Sequence, residues 1–174
     1  MRVSGVDDTP DRLAERGFDD FYAATAPATV RALHAMTGDL AEAQDVVQEA
    51  YARAWQRWGA LGRYDAPEAW VRTVAWRLAV SRARRARVGL GKLRRLGPAP
   101  DAPALDADRV ALVRALRAVP EAQRRAVVLH HVLGLSVVEV AAEVGAPEGT
   151  VKARLSRGRA ALALLLSDEE PSRA

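Results

Sequence analysis

Apolar residues recur at three- and four-residue spacing along nearly the whole chain, and no stretch keeps the two-residue alternation of a strand. Phe21, Tyr22, Thr25, Val30 and Leu33 mark a first helix from Phe18 to about Met36, stopped by Gly38. Asp39, with Glu42 three residues on, caps a second helix from about Leu40 to Trp58. That helix turns Ala43, Val46, Val47, Ala50, Tyr51, Ala54 and Trp55 inward. A loop over Gly59–Ala66 follows, and Pro67 at a first helical position opens a third helix reaching about Arg87. Its expected core stripe is Trp70, Val71, Val74, Leu78 and Val80. The fold class is therefore all-α.

Composition changes after residue 88. Residues 89–107, ending in GPAPDAPALDAD, read as an extended Pro/Gly-rich linker. It divides the chain into two helical modules, 12–88 and 108–166. Modules folded against each other would hide the surfaces between them until a partner opened them. The second module starts with a helix from Asp108 to Ala118, broken by Pro120, and another from Glu121 to about Leu133, ended by Gly134. Ser136 with Glu139 forms a capping box for a short helix, Val137–Val144. Gly145 turns the chain, and Pro147 opens a last helix through Ala160 or beyond. A short helix, a Gly-containing turn and a longer basic helix make a helix-turn-helix.

Charge sharpens this picture. Lys and Arg number 26 against 22 Asp and Glu, a net charge of +4, and only Lys92 and Lys152 are Lys. An Arg bias also arises from a GC-rich genome, but Arg holds phosphate bidentately, so its placement matters more than its number. Between Ser81 and Gly97 stand seven basic residues and no acid, and Arg109 to Leu162 carries nine basic against four acidic. Acids gather in Asp7–Asp20, Asp39–Glu49 and the C-terminal tail. Such segregation suits a polyanion on one face and a different partner on another.

Several functions drop out. With no Cys and three His, neither a disulfide framework nor a thiolate metal site is available. His130 and His131 are adjacent and cannot face one metal as an i, i+4 pair does, so packing is their expected role. No nucleophile–base set or phosphate-binding Gly loop stands out, so neither enzyme chemistry nor a cofactor is expected. MRVSGVDDTPDR lacks the apolar core of a signal peptide, and Ala160–Leu166 falls far short of the roughly 18 apolar residues a span needs. A soluble cytoplasmic protein is expected.

In the last helix, Val151 and Leu155 point inward, leaving Thr150, Lys152, Ala153, Ser156, Arg157 and Arg159 outward. These include the side chains that reach phosphates and base edges; an ordinary helical hairpin with a solvated Arg face is the competing reading. The run from Gly149 to Arg159 (GTVKARLSRGR) closely resembles the end of region 4 of the extracytoplasmic-function sigma factors of bacterial RNA polymerase. LRAVPEAQRRAVVLHHVLGL looks like the start of that region. GDLAEAQDVVQEAYARAWQRW resembles regions 2.1–2.2, and PEAWVRTVAWRLAVSRARRAR regions 2.3–2.4, in the same order as in the family.

The resemblance implies two helical domains on a tether, no catalysis, and promoter-specific initiation with core RNA polymerase. Its partners would be the clamp of the largest polymerase subunit, the flap of the second largest, promoter DNA and an anti-sigma factor. Asp45, Gln48 and Glu49 would dock on the clamp; as residues alone they also read as a solvated acidic face. Arg72, Trp76, Arg77 and Arg84 would meet the −10 element, Trp76 offering a ring for an unpaired base among phosphate-holding arginines. Packing against a neighbouring helix is the other reading of Trp76. Thr150, Lys152, Arg154, Ser156, Arg157 and Arg159 would meet the −35 element. Arg77 and Ser81 stand where the family usually has Asn and Asp, which puts the usual −10 preference in question. A stand-alone helix-turn-helix regulator is the alternative, though the first module resembles no sensor or dimerisation domain.

Overall fold

The computed structural model describes residues 10–89 and 107–167, and among these every regular element is a helix. Helix α1 (Pro10–Thr37) begins before the expected start at Phe18 and carries Pro27 inside it. Its side chains explain its path. Thr25 and Thr29 return their hydroxyls to Phe21 and Thr25 carbonyls at 2.6 and 2.9 Å, and both meet the buried Tyr51 hydroxyl. A Tyr buried to this depth needs such partners, and burial raises its pKa above the ordinary value. Gly38, at φ +76°, ends α1 in the left-handed region that favours glycine.

Asp39 then accepts the Glu42 amide at 3.0 Å and opens α2 (Leu40–Trp55). All the expected core positions of α2 are buried except Trp55, which is 43% exposed. The helix stops at Trp55, short of Trp58, and a turn at Gln56 and Arg57 leads into a short α3 (Trp58–Leu61) within the expected loop. The turn frees Trp58 to pack on Phe21 and Phe18, with ring centroids 4.9 and 5.3 Å apart. Aromatic packing, invisible to helical periodicity, overrides it here.

Helix α4 (Pro67–Gly89) corrects the expected stripe. Val71 is fully buried, Trp70, Val74 and Leu78 are half-buried, and Val80 is exposed. Arg72, Ala75, Trp76 and Ala79 are buried instead. A stripe drawn through large apolar residues fails because α4 is covered on more than one side: by α2 and α1, and by the second module through Arg72 and Trp76.

Within the second module, α5 (Ala107–Ala118) leads through buried Val119 to α6 (Glu121–Val127). The chain continues in a π-helical turn, Val128–Val132, where the Leu133 amide reaches the Val128 carbonyl at 3.3 Å. His130 Nδ1 meets the Leu135 carbonyl at 2.6 Å, which ties the end of that turn, while His131 is exposed rather than packed. Helices α7 (Val137–Val144) and α8 (Glu148–Ser167) follow. Pro147 precedes α8 rather than occupying its first turn, and its carbonyl accepts the Val151 amide at 3.1 Å.

The two modules share one apolar core, from Leu33, Val46 and Val71 to Val128, Val140 and Leu155. Helix α1 packs on α5 and on the π-helical turn, and the Arg117 side chain lies across Gly38. The expected linker, apart from its end residues Gly89 and Ala107, lies outside the described residues, as do Lys92, Arg94 and Arg95. No helix among the described residues is long and apolar enough to cross a membrane.

Two measurements check this packing. A Cβ on buried Gly158 of α8 would stand 2.7 Å from Val127 Cγ2 and 3.4 Å from the Gln123 carbonyl of α6. Gly158→Ala should therefore lower stability by about 1–3 kcal/mol, because a filled interface outweighs the roughly 1 kcal/mol gained in helix propensity. An unchanged or raised Tm would mean α6 and α8 can part. The second concerns His34, 8% exposed between the modules, whose pKa is lowered by burial and then by nearby Arg109, with Asp39 opposing. Below the ordinary value of 6.5 the unfolded chain binds a proton that the folded chain resists. Stability should thus be complete above that value and fall as pH drops below it. His34→Gln should flatten the Tm profile there; an unflattened profile refutes the assignment.

Candidate nucleic-acid interface

The helix-turn-helix is built by local chemistry. Ser136 Oγ accepts the Glu139 amide at 3.2 Å while the Glu139 carboxylate accepts the Ser136 amide at 2.7 Å, a complete capping box. These bonds hold the Glu139 carboxyl below the usual carboxylate range. Gly145 at φ +64° reverses the chain, and Val140, Val151 and Leu155 are buried in the core beneath the two helices. Helix α8 then presents its polar residues along two edges. Lys152 and Arg159, seven residues apart, lie on one line of the helix; both are exposed, and Lys152 makes only a long 3.9 Å pairing with Glu148. Arg154 and Arg157 follow the other edge, with Arg157 and Ser156 exposed and Arg154 and Thr150 half-buried. Arg154 lies close enough to Arg125 of α6 to disfavour its charge.

Helix α4 carries a second basic set, divided by burial. Arg77 and Arg84 are exposed. Arg72 and Trp76, expected on the polar side, are instead each 9% exposed and turned toward the second module. The Arg72 guanidinium grips Glu143 of α7 through Nε, at 3.1 and 3.2 Å, and through Nη2, at 2.7 Å. Arg125 of α6 lies over the Trp76 ring, 5.6 Å from its centroid. Burial is the main cause lowering the Arg125 pKa from its ordinary value. Glu143 and Arg125 went unnoticed in the sequence; the available signal was a second acid in the run VVEVAAEV, beyond the Glu139 that the capping box uses.

A cavity of about 560 Å³ lies alongside, walled by Trp76, Arg84 and Arg87 of α4 and by Arg117 and Arg124 of the second module. Two buried atoms of its walls, Arg124 Nε and Glu42 Oε1, have no hydrogen-bond partner.

Helix α2 supplies the acidic face. Asp45 and Gln48 are exposed. Glu49 is half-exposed and tied to Arg82 of α4 at 2.7 Å, with Arg53 on its other side. The Arg82 bond is the first cause holding its carboxyl below the usual range. Arg82 also reaches Glu42 at 3.5 Å, so this member of the basic run braces α2 against α4. Among the described residues no group of three or more His, Asp or Glu side chains could hold a metal ion.

Known proteins match this arrangement in both halves. Residues 21–88 fit the family described as Sigma-70 region 2, and residues 109–162 fit Sigma-70, region 4. The chain is 32% identical over 174 aligned residues to the ECF RNA polymerase sigma factor SigL of Mycobacterium tuberculosis, covering 96% of each. It is 31% identical to the RNA polymerase sigma-E factor of Streptomyces coelicolor over 83% of each chain. Among solved structures it is similar to the sigma factor RpoE from Bartonella quintana, solved with the anti-sigma factor NepR. The TM-score is 0.75 and the identity 26%, over 86% of this chain and 96% of that one.

Proposed function

The chain belongs to the ECF (extracytoplasmic-function) RNA polymerase sigma factors and directs transcription initiation, and on that premise we propose which of its surfaces meets which partner. The observation that carries the premise is the SigL match along 96% of both chains, with region 2 and region 4 in order. Asp45, Gln48 and Glu49 form the core-polymerase surface, because an exposed acidic and amide face repels DNA and suits a protein partner. Arg72, Trp76, Arg77 and Arg84 hold the −10 element, combining phosphate-binding guanidinium groups with one aromatic ring. Thr150, Lys152, Arg154, Ser156, Arg157 and Arg159 hold the −35 element from a recognition helix that follows the capped α7 and the Gly145 turn.

Residues 12–88 and 108–166 act as the two functional domains, joined by 89–107. The clamp of the largest polymerase subunit receives the first and the flap of the second largest receives the second. An anti-sigma factor is a further partner, by extension from the RpoE neighbour solved with one. The protein works in the cytoplasm and carries out no covalent chemistry; it contributes by positioning polymerase on DNA.

Run-off transcription with core polymerase and no other sigma factor tests the reading. Specific transcripts are expected only when this chain is added. A stand-alone regulator would bind DNA but yield none.

A further inference from the structure

We infer that Glu143 of α7 is an internal stand-in for a DNA phosphate: it occupies Arg72 in the free chain, while Arg125 occupies the face of Trp76, so the second module competes with nucleic acid for α4. This rests on the reading of α4 as a DNA-holding helix.

The geometry is that of phosphate recognition. A guanidinium takes a carboxylate or a phosphate with the same planar fork, and here Nε donates to both Glu143 oxygens, at 3.1 and 3.2 Å, and Nη2 to one of them, at 2.7 Å. The pair is nearly dry, with side chains 10% and 3% exposed. Trp76 stands four residues after Arg72, on the same helical face, and the Arg125 guanidinium covers its ring at 5.6 Å. A base stacking on that ring would need the same place. Phosphate position and base position are thus both taken, by residues of two adjacent elements of the other module.

The chemistry of the contact suits release. A buried ion pair gives little stability over a well-packed apolar pair, so this one is poorly explained as cement. Separation returns both charges to water, so at this point of the seam only the apolar core shared around the pair favours re-closure. A cavity of about 490 Å³ opens beside the pair, lined by Arg72 and Arg77 and by the carboxylates of Glu68, Glu139 and Glu143.

The test uses the full chain without polymerase and a fluorescein-labelled single-stranded DNA 20-mer pool of randomised sequence, followed by anisotropy. Glu143→Gln should tighten binding about tenfold, the scale of one charge-assisted bond no longer opposed. The double variant Arg72→Ala with Glu143→Gln should lose that gain. Unchanged affinity in a Glu143→Gln chain of full helicity overturns the proposal. Should that variant fail to fold, hydrogen exchange on the wild-type chain decides: saturating oligonucleotide should speed exchange of the Val137–Val144 amides, and unaltered exchange overturns it. Run-off transcription with the exposed pair Arg77→Ala and Arg84→Ala separates the two layers. Lost transcription there, with a silent Glu143→Gln, leaves the α4 reading standing and removes only the stand-in; retained transcription removes the α4 reading itself.

Discussion

Asp45→Arg with Gln48→Arg should abolish co-purification with core RNA polymerase, weakening the complex by at least about 100-fold, since like charges juxtaposed in an interface cost several kcal/mol. The two positions are exposed on α2, away from its buried stripe, so far-UV circular dichroism should keep its full helical signal. Glu49 is a poorer place for the reversal, because its carboxylate braces α2 to Arg82 of α4 and replacing it would disturb the domain as well as the surface. Normal yield of the double variant with core polymerase would show that polymerase docks elsewhere.

The second large effect belongs to α8. In a salt titration of the full chain, assembled with core polymerase, on its preferred promoter and on a scrambled one, Arg157→Ala and Arg159→Ala should weaken both DNAs alike. Each should reduce the salt slope by about one unit, because one phosphate contact fewer releases one counterion fewer. Lys152→Ala and Ser156→Ala should instead cost about 1–3 kcal/mol on the preferred site alone, the scale of a good base contact. Lys152 is free to reach, tethered only by its long exposed pairing with Glu148. If Arg157→Ala shifts site preference and leaves the slope intact, the roles are reversed. If none of the four matters, α8 is not the reader.

How readable these surfaces were in the sequence depended on whether local or distant chemistry set them. The bounds of α7, the capping box and the left-handed Gly145 were all readable, because each is decided within a few residues. So was the inner stripe of α2 up to Ala54, a single buried face on which α1 and α4 both pack. Trp55 and Trp58 were misplaced because clustering with Phe18 and Phe21, far back in the chain, ends α2 early. Arg72 was misplaced for the same reason on a larger scale: its burial comes from a module whose contacting residue, Glu143, is 71 positions away, and no periodicity encodes that distance. Trp76 follows the second of its two readings, packing under Arg125 of a neighbouring helix. Gly158, within the basic motif, sits where α6 leaves no room for a side chain on α8.

The π-helical turn at Val128–Val132 has a bearing on all of this. Such a turn holds one residue more than the α-helical turn it replaces, and each residue of an α-helix advances the chain by roughly 100° of rotation. The surplus residue therefore acts as a phase adjuster between α6 and everything after it. With it, the chain leaves the turn at an angle that lets Leu135 receive His130 and brings α7 round with Glu143 against Arg72. Deleting one residue there would leave every later side chain chemically intact yet change the direction in which the chain enters the connection to α7 over residues 133–136. The relative orientation of α4 and α8 thus depends on one position of a turn whose Val128 and Leu129 lie in the core that both helices share.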